Sequence, residues 1–531
     1  MSDFYYAGFD VGTGGCKGIL ASAHGDMVAS AFHPYPLSYP RPGWAEQDPE
    51  DWWKAACAGM RRMLEQSGVD PARVKGVGFA GQMLGVVPVD DSGAPLRPAI
   101  IWLDNRAENQ AASIIRRFGG RRAITLLAGA APSGKDVVCK LAWLREKEQG
   151  LYERTRYFLD ATGYLVGRAT GRFVMDHTGG GGTGILKPHN REWSRLFAKL
   201  LGQDLYRLPP LRSSIEVIGG LRESAAEEMG LSPGAPVIAG MADIPAAATG
   251  SGALRDGDAH INIGTSSWLC LSVRKKPGLG KYGIASVVSP DPEMFLVIGE
   301  SETAGACLEW FAGKMAVALP RSADDVEAEL FKRLDAVAAE VEPGAGRLLF
   351  APWMFGERSP VPDTLVRAAF VNLGLGHTWE HMLRAVYEGV AFNLRWLLDA
   401  VASAGYPCDP LRAIGGGATS DVWMQVVADV TGRSVEAVEH AREAGAMGCA
   451  LAVAVATGAI PSFKDIRKAV RVRRVFEPDP GSRRTYDKLY GVFRGLYSRL
   501  AGPCHSLNSG LSCAMDPGRK SRLAAGAPGA T

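Results

Sequence analysis

The sequence predicts an α/β protein built from two domains that share one plan. A β-meander opens the chain, with strands predicted at residues 5–10, 17–21 and 27–33 and a glycine-rich turn between the first two. The same succession of apolar strand, Gly-Thr turn and returning strand recurs at residues 259–273. A chain of 531 residues also exceeds one typical domain, so two related α/β domains are the expectation.

Small and glycine-rich residues mark the predicted domain boundary near residues 250–258. We therefore expect an N-terminal domain at residues 1–253 and a C-terminal domain at 254–501. Residues 502–531 are dominated by Gly, Ser, Ala and Pro and lack apolar periodicity. This composition predicts a disordered tail.

Regular elements are predicted between the two meanders and after the second. Apolar periodicity and capping residues predict helices, buried apolar runs predict strands, and four consecutive glycines predict a loop at 178–184. The helices are expected at residues 51–66, 136–148, 322–341, 380–400 and 422–431, and further strands at 74–80 and 413–414.

Composition and charge narrow the class of protein. The 59 basic and 56 acidic residues are balanced, and no basic stripe of the kind that binds nucleic acid is present. Nine cysteines without a Cys-x-x-Cys pair predict reduced thiols, and no secretion signal is expected because the first residues lack a basic region and an apolar region. The longest apolar stretch, residues 446–460, is too short to span a bilayer and predicts a buried helix. We expect a cytoplasmic protein without nucleic-acid or membrane partners.

Three glycine-rich turns, each after a predicted strand, indicate phosphate binding. They are residues 10–15 (DVGTGG), 264–267 (GTSS) and 415–420 (GGGATS). Glycine lets backbone N–H groups approach a phosphate closely, and three such turns favour a nucleotide site over ordinary hairpin turns. Residues 129–136 (GAAPSGKD) approach the P-loop pattern, but Asp136 stands where that loop needs Ser or Thr. A surface loop before a helix is expected there.

These turns resemble the nucleotide loops of the FGGY carbohydrate kinases, within the sugar kinase/actin/Hsp70 superfamily. Further segments are similar to xylulokinases in order and spacing: WAEQDP at 44–49, GQM at 81–83, RPAIIW at 97–102, GERSP at 356–360 and AVYEG at 385–389. The resemblance implies two actin-like ATPase (ribonuclease H-like) domains with a cleft between them. It also implies ATP and Mg²⁺ as cofactors and an open-chain ketose or polyol as the phosphate acceptor.

The resemblance also implies roles for individual residues. Asp243, in the segment GMAD, matches the catalytic base, and Asp10 matches the acid near Mg²⁺ and the phosphates. Gln82, Met83, Leu84, Asp104 and Asp243 are the expected substrate contacts. The expected nucleotide contacts are Thr13, Gly14, Gly15, Lys17, Gly264, Thr265, Gly305, Glu309, Gly416, Gly417 and Asp421.

Some of these residues have structural alternatives. Asp243 precedes an alanine-rich segment and would also suit a helix N-cap. Lys17 would suit a solvated strand position, and Glu309 and Asp421 would suit the surface of a helix. The aromatic cluster Trp44, Trp52 and Trp53 is expected in the core, not stacked on a sugar.

The chain departs from the xylulokinase pattern at three polar positions. Leu84 replaces a His, Leu103 replaces an Asn before Asp104, and Ile244 replaces an Asn after Asp243. A sugar hydroxyl that faces Leu instead of His loses a hydrogen bond. We therefore expect D-xylulose to be a poor substrate and a ketose or polyol with a less polar end to be a better one.

Other functions remain open from the sequence. A nucleotide-dependent binding or chaperone module would keep the phosphate loops without needing Asp243 or Gln82. A sugar-binding regulator derived from a kinase would tolerate Leu84 and Ile244. A glycerol kinase is disfavoured because the Arg-Glu pair expected after residues 81–82 is missing. Assembly as a homodimer also stays open.

Overall fold

A computed structural model describes residues 4–128, 131–315 and 327–509. These residues form two compact units. The first holds residues 4–20 and 28–244, and the second holds residues 21–27 and 245–509.

The first unit is built around a seven-stranded mixed sheet in the order β13-β14-β5-β1-β2-β3, with β15 also paired to β5. Its strands are β1 (Tyr5–Val11), β2 (Gly15–Ala21), β3 (Met27–Pro34), β4 (Glu46–Gln47), β5 (Val74–Gly81), β6 (Val87–Val89), β7 (Ala99–Ile100), β8 (Tyr157–Leu159), β9 (Met175–Asp176), β10 (Leu186–Lys187), β11 (Glu192–Trp193), β12 (Leu211–Arg212), β13 (Val217–Gly220), β14 (Pro236–Ile238) and β15 (Met241–Ala242). The predicted meander is confirmed as β1, β2 and β3.

Helices pack against this sheet and around its connections. They are α1 (Pro49–Ser67), α2 (Glu108–Arg117), α3 (Arg121–Ala128), α4 (Val137–Lys147), α5 (Gln149–Arg154), α6 (Ala161–Thr170), α7 (His177–Gly181), α8 (Arg195–Leu201) and α9 (Glu223–Met229). Helix α1 begins where the Asp48 side chain accepts a bond from the Glu50 amide, and it ends at Gly68. Trp52 and Trp53 lie on the buried face of this helix, which confirms that they belong to the core.

The second unit repeats the plan. Its seven-stranded sheet has the order β18-β19-β17-β16-β22-β23-β24, in which β16 and β17 pair as a hairpin and β22 runs parallel to β16. The strands are β16 (Ala259–Ile263), β17 (Ser267–Val273), β18 (Ala285–Val288), β19 (Phe295–Ser301), β20 (Leu349–Ala351), β21 (Ala369–Val371), β22 (Leu411–Ile414), β23 (Val435–Val438) and β24 (Val472–Phe476). The hairpin followed by a parallel strand matches β1, β2 and β5, so the predicted repetition is confirmed.

The second unit's helices include the long α13 and α17, which flank its sheet and core. The helices are α10 (Asp243–Ser251), whose first two residues belong to the first unit, α11 (Gly305–Met315), α12 (Glu327–Ala339), α13 (Trp379–Ala402), α14 (Asp421–Thr431), α15 (Ala444–Ala456), α16 (Ile466–Ala469) and α17 (Pro480–Asn508). The apolar stretch at 446–460 lies largely in α15, which is buried over most of its length. No helix within the described ranges is long and apolar enough to cross a membrane.

Two predictions of irregular structure are corrected. The glycine-rich segment 178–184 begins as helix α7, because the Asp176 side chain accepts bonds from the Thr178 and Gly179 amides. Residues 502–508, predicted to be part of a disordered tail, belong to α17. His505 and Asn508 hold this end of the helix through bonds to Asp363 and to the Leu365 carbonyl.

Some predicted segments fall partly outside the described residues. These are the tail from residue 510, the first five residues of the predicted helix at 322–341, and residues 129–130 of the P-loop-like segment. Within the described part of that last segment, Asp136 accepts bonds from the Ser133 amide and hydroxyl just before α4. The sequence predicted a surface loop before a helix there, and the structure has a turn that leads into α4.

Candidate active site

Three parallel strands of the first unit end side by side and bring two aspartates to one sheet edge. Strand β5 lies between β1 and β15, with Asp10 and Met241 both opposite Ala80. Gly240 turns the chain over β5 with φ +76°, and a Cβ there would lie 2.3 Å from the Phe79 carbonyl oxygen. The chain therefore delivers Asp243 immediately after β15, across β5 from Asp10.

Asp243 is the first residue of α10 and is held by two backbone amides. The Ile244 N–H donates to its Oδ1 at 2.9 Å, and the Met83 N–H also donates to the carboxylate. Burial and the nearby negative charge of Asp10 raise the pKa of Asp243 to about 7. The carboxyl group is thus poised to gain and lose a proton near neutral pH, as a general base must.

Asp10 stands at the end of β1, and side chains from other parts of the chain hold the turn that follows it. Burial raises the pKa of Asp10, and the Lys17 ammonium partly offsets this effect. Within the turn, Thr13 is held by the Gln47 side chain at its carbonyl (2.7 Å) and by the Trp102 indole at its hydroxyl (2.8 Å). Tyr35 donates to the Gly12 carbonyl at 2.5 Å.

The glycines of this turn serve different purposes. Gly14 is exposed, and a Cβ there would meet no atom within 4 Å. A Cβ at Gly15 would lie 2.6 Å from the Phe32 ring and 2.7 Å from the His33 carbonyl oxygen. Gly15 is therefore needed for packing between β2 and β3, and Gly14 is the position open to a ligand.

Gln82 follows β5 and presents an unused acceptor. Its side chain is 2% exposed, and its Nε2 donates to Gln47 Oε1 at 2.7 Å, which also accepts from the Trp52 indole at 3.2 Å. Gln82 Oε1 is buried and has no hydrogen-bond partner among the described residues. An unmet buried acceptor is costly, so a ligand hydroxyl would find a prepared partner here.

Met83 and Leu84 line a small, mainly apolar pocket. Leu84 has φ +61°, in the left-handed region that leucine seldom adopts. The other lining residues are Gly85, Val86, Val137, Leu141, Phe158, Leu159, Asp160, Met175, Gly179, Gly182, Thr183 and Leu208. The one carboxyl in this lining is Asp160, whose pKa burial and the charge of Asp176 raise to about 7.

Asp104 occupies a different environment from the other predicted substrate contacts. Its side chain is fully buried, and its oxygens accept bonds from the Arg106 guanidinium at 2.7–3.0 Å and from the Ala45 amide at 2.6 Å. Arg106 also lies over the Trp44 ring at 3.7 Å. These contacts hold the loop after β7 in place and occupy the carboxylate oxygens.

In the second unit, the predicted nucleotide loops meet at the end of β16. The Gly305 amide donates to the Gly264 carbonyl at 2.8 Å, and the amides of Ala304 and Ala306 both donate to the Thr265 carbonyl at 3.0 Å. A Cβ at Gly305 would lie 2.5 Å from the Gly264 oxygen, so only glycine allows this approach.

The triple-glycine loop packs against the same strand end. A Cβ at Gly417 would lie 2.5 Å from the Ile263 side chain, whereas a Cβ at Gly416 would meet open space. Gly416 is thus the position of this loop that a ligand could approach. The structure brings Gly264, Thr265, Gly305, Gly416 and Gly417 together around β16, as expected for one binding surface.

The two acidic residues that were predicted to contact nucleotide in this unit have different surroundings from the two aspartates of the first unit. Asp421 begins α14 and pairs with Arg473 and Arg474, both at 2.6 Å, and these pairs lower its pKa. Glu309 is half-buried on α11. The arginine pairing matches the alternative expectation that Asp421 is a helix-surface acid.

Several residues that support the site were not singled out from the sequence. Gln47, Tyr35 and Trp102 bind the turn at residues 12–13, and Lys140 binds the loop at Leu84. Gln47 and Trp102 lie within motifs that the family resemblance had already identified, which is the signal that could have found them. Tyr35 and Lys140 have no local signal, because their partners are distant in the chain.

Comparison with known proteins gives consistent results for both units. Residues 5–250 match the model of the FGGY family of carbohydrate kinases, N-terminal domain, and residues 259–457 match the C-terminal domain of the same family. A xylulose kinase of Staphylococcus epidermidis is 30% identical over 495 residues, covering 93% of this chain and 96% of the relative. A gluconokinase of Bacillus subtilis is 28% identical over 501 residues, covering 93% and 96%.

Solved structures agree with these relatives. The xylulose kinase of Rhodospirillum rubrum superposes with a TM-score of 0.82 at 29% identity, covering 94% of this chain and 100% of that one. The gluconate kinase of Lactobacillus acidophilus superposes with a TM-score of 0.83 at 25% identity, covering 95% and 99%. Both similarities extend through the two units.

Proposed function

Because the chain belongs to the FGGY family of carbohydrate kinases, we propose that it phosphorylates an open-chain ketose or polyol with Asp243 as the general base. Transfer of a phosphoryl group from ATP to a sugar is the activity common to this family and its xylulose kinase relatives. The observation that supports the choice of base is the Asp243 carboxyl itself, with a pKa of about 7 beside Asp10. The regulatory alternative has no comparable support.

In the proposed reaction, Asp243 accepts the proton of the attacking hydroxyl. The hydroxyl oxygen forms a bond to the γ-phosphorus while the bond from that phosphorus to the bridging oxygen breaks, and ADP leaves with the electron pair. The Met83 and Ile244 amides fix the carboxylate for this step. Their contribution is positioning, which supplies much of the rate enhancement in phosphoryl transfer.

Asp10 fits the role of holding Mg²⁺ with the phosphates. Its carboxylate is half-buried, and burial raises its pKa, an effect that the Lys17 ammonium only partly offsets. No group of three or more metal-binding side chains occurs within the described parts of the chain, so phosphate oxygens and water would complete the coordination. When bound, Mg²⁺ would neutralise charge on the phosphates.

The nucleotide contacts proposed for the second unit are mainly backbone groups. Gly264, Thr265, Gly305, Gly416 and Gly417 surround the end of β16, where close approach of the main chain suits phosphate and adenosine binding. In the first unit, Thr13 and Gly14 are the proposed phosphate contacts.

We also propose a cytoplasmic location, which is consistent with the free state of the eight cysteines in the described residues.

The sugar we propose has a hydroxyl group that faces Gln82 and a less polar group that faces Leu84. Gln82 Oε1 requires a donor, which a sugar hydroxyl supplies. Leu84 and the pocket that it lines with Met83 offer mostly apolar surface instead. An apolar surface gains little from a hydroxyl and accepts a methyl group well.

The test is sugar-dependent ADP release across ketoses, alditols and aldoses, with D-xylulose beside its 1-deoxy analogue. We expect the wild type to use the deoxy analogue at least as well as D-xylulose, and Leu84→His to shift the kcat/KM ratio toward D-xylulose by about tenfold. Leu84→Met is the matched control and should keep the wild-type preference. Stimulation by no sugar would contradict the kinase proposal, and a wild type that strongly prefers D-xylulose would contradict only the proposed less polar end.

A further inference from the structure

One lysine of the first unit is completely buried. Lys140 lies on α4, and its side chain has 0% exposure. Its Nζ donates to the Leu84 carbonyl at 2.7 Å and to the Ile101 carbonyl at 2.9 Å. Burying an ammonium group against uncharged carbonyls is costly, and burial lowers the pKa of Lys140 to about 7. An apolar side chain would avoid this cost, but it could not donate to the two carbonyls.

Charged groups near Lys140 act on its amine only through their charge. Asp104 and Asp136 favour its charged form, while Arg106 and Lys135 oppose it. The oxygens of Asp104 are already bound by Arg106 and by the Ala45 amide. The strong directional contacts of Lys140 are therefore its two bonds to backbone carbonyls.

The two carbonyls belong to two loops that each follow a strand. Leu84 follows β5 and has φ +61°, which leucine adopts only where its surroundings hold it. Ile101 follows β7, and its carbonyl also accepts the Asp104 amide at 3.0 Å. A single amine thus ties together two loops and restrains the one with the unfavourable backbone conformation.

Both loops lead directly to the candidate site. The amide of Met83, the residue before Leu84, donates to the Asp243 carboxylate. The indole of Trp102, the residue after Ile101, donates to the Thr13 hydroxyl at 2.8 Å. The two carbonyls that Lys140 binds therefore lie one residue from the amide that holds the proposed base and one residue from the indole that holds the phosphate-binding turn.

We propose, on the basis of the function proposed above, that Lys140 is a positioning residue that sets the Met83–Leu84 turn against the Trp102 loop and so shapes the sugar-binding edge. It is not a catalytic residue, because its bonds are to Leu84 and Ile101 and not to Asp10 or Asp243. Loss of the amine frees the turn, and the sugar then binds to an edge that is no longer preformed.

The test is Lys140→Met, which keeps the length and removes the donor. We expect KM for the best sugar of the panel to rise about tenfold or more, with KM for ATP within about twofold. A sugar KM that rises no more than the ATP KM would overturn the proposal, since general loosening of the fold affects both. Leu144→Ala, on the same helix and fully buried, is the control, because it should lower the melting temperature and leave both KM values within about twofold.

Hydrogen exchange on the free enzyme gives a second measure that needs no sugar. In Lys140→Met, amides at residues 82–85 and 101–103 should exchange at least about tenfold faster, while those of β3 stay unchanged. Should the wild type phosphorylate no sugar, the proposed function fails, and exchange alone decides the role of Lys140. Unchanged exchange at both loops would overturn it. If Lys140→Met does not fold, Lys140→Gln takes its place, because it keeps one amide donor. Exchange at the two loops should then be faster by a smaller factor, and unchanged exchange would overturn the proposal.

Discussion

The strand edge of the first unit and the corresponding edge of the second follow one plan but carry different chemistry. At the ends of β1, β5 and β15 stand two aspartates with raised pKa values, and the Gln82 side-chain oxygen has no hydrogen-bond partner in the part of the chain that the structure describes. At the ends of β16 and β22 stand glycines in close contact with backbone, and Asp421 is paired with arginines. The first edge therefore supplies titratable side chains, and the second supplies shape and backbone groups.

This difference predicts that substitutions at the two edges change different kinetic parameters. Changes at the first edge should alter turnover, its pH dependence and sugar specificity. Changes at the second edge should alter ATP binding, and they should do so through backbone geometry more than through charge.

The largest expected effect at the second edge comes from Gly305→Ala. The added Cβ would lie 2.5 Å from the Gly264 carbonyl oxygen, so the two loops must separate. We expect kcat/KM for ATP to fall on the order of a hundredfold, the scale of an ångström misplacement in an active site. Steady-state kinetics with ATP as the varied substrate measure this.

The control for this substitution is Gly313→Ala, on the same helix, where the added Cβ meets no atom of the described residues within 4 Å. It should leave kcat/KM for ATP within about twofold, since alanine suits a helix interior better than glycine. Equal losses in the two variants would show that the α11 glycines matter for helix stability and not for the Gly264 contact.

The smallest expected effect is that of Asp421→Asn. The carboxylate pairs with two exposed arginines, and exposed ion pairs contribute little to stability. We expect KM for ATP to change by less than about threefold. A loss comparable to that of Gly305→Ala would mean that the second edge also relies on a charged side chain, and the comparison between the edges would fail.

The sequence was sufficient for the framework of the fold. The meander at residues 5–33 and its recurrence at 259–273 were predicted because alternating apolar residues and glycine turns are local signals. The prediction of a loop at residues 178–184 was wrong. Four consecutive glycines favour a loop on composition alone, but the Asp176 side chain caps the start of α7 there. The prediction that a disordered tail begins at residue 502 was wrong because contacts to Asp363 and Leu365, which are distant in the chain, hold the end of α17.

The site was only partly predictable for the same reason. Asp10 lies at the end of a strand, and Gln82 and Asp243 follow strands, so their place at one edge could be expected once the strands were known. The bond from the Ala45 amide to Asp104 and the burial of Lys140 between two loops depend on packing that no local pattern records. Sequence patterns therefore located candidate site residues, and the structure identified the residues that hold them.

The measurement that tests the account most directly is the pH dependence of kcat in the wild type and in Asp243→Asn. A base must be deprotonated, and the raised pKa of about 7 means that the active form is lost as pH falls below that value. Wild-type kcat should therefore rise with pH and level off above about 7, whereas Asp243→Asn should be at least about a hundredfold slower and flat over the same range, with ATP binding unchanged. Asp91→Asn, on the exposed surface of the same unit, should match the wild type. Turnover near the wild-type level in Asp243→Asn, or an unaltered pH profile, would contradict the assignment of Asp243 as the base.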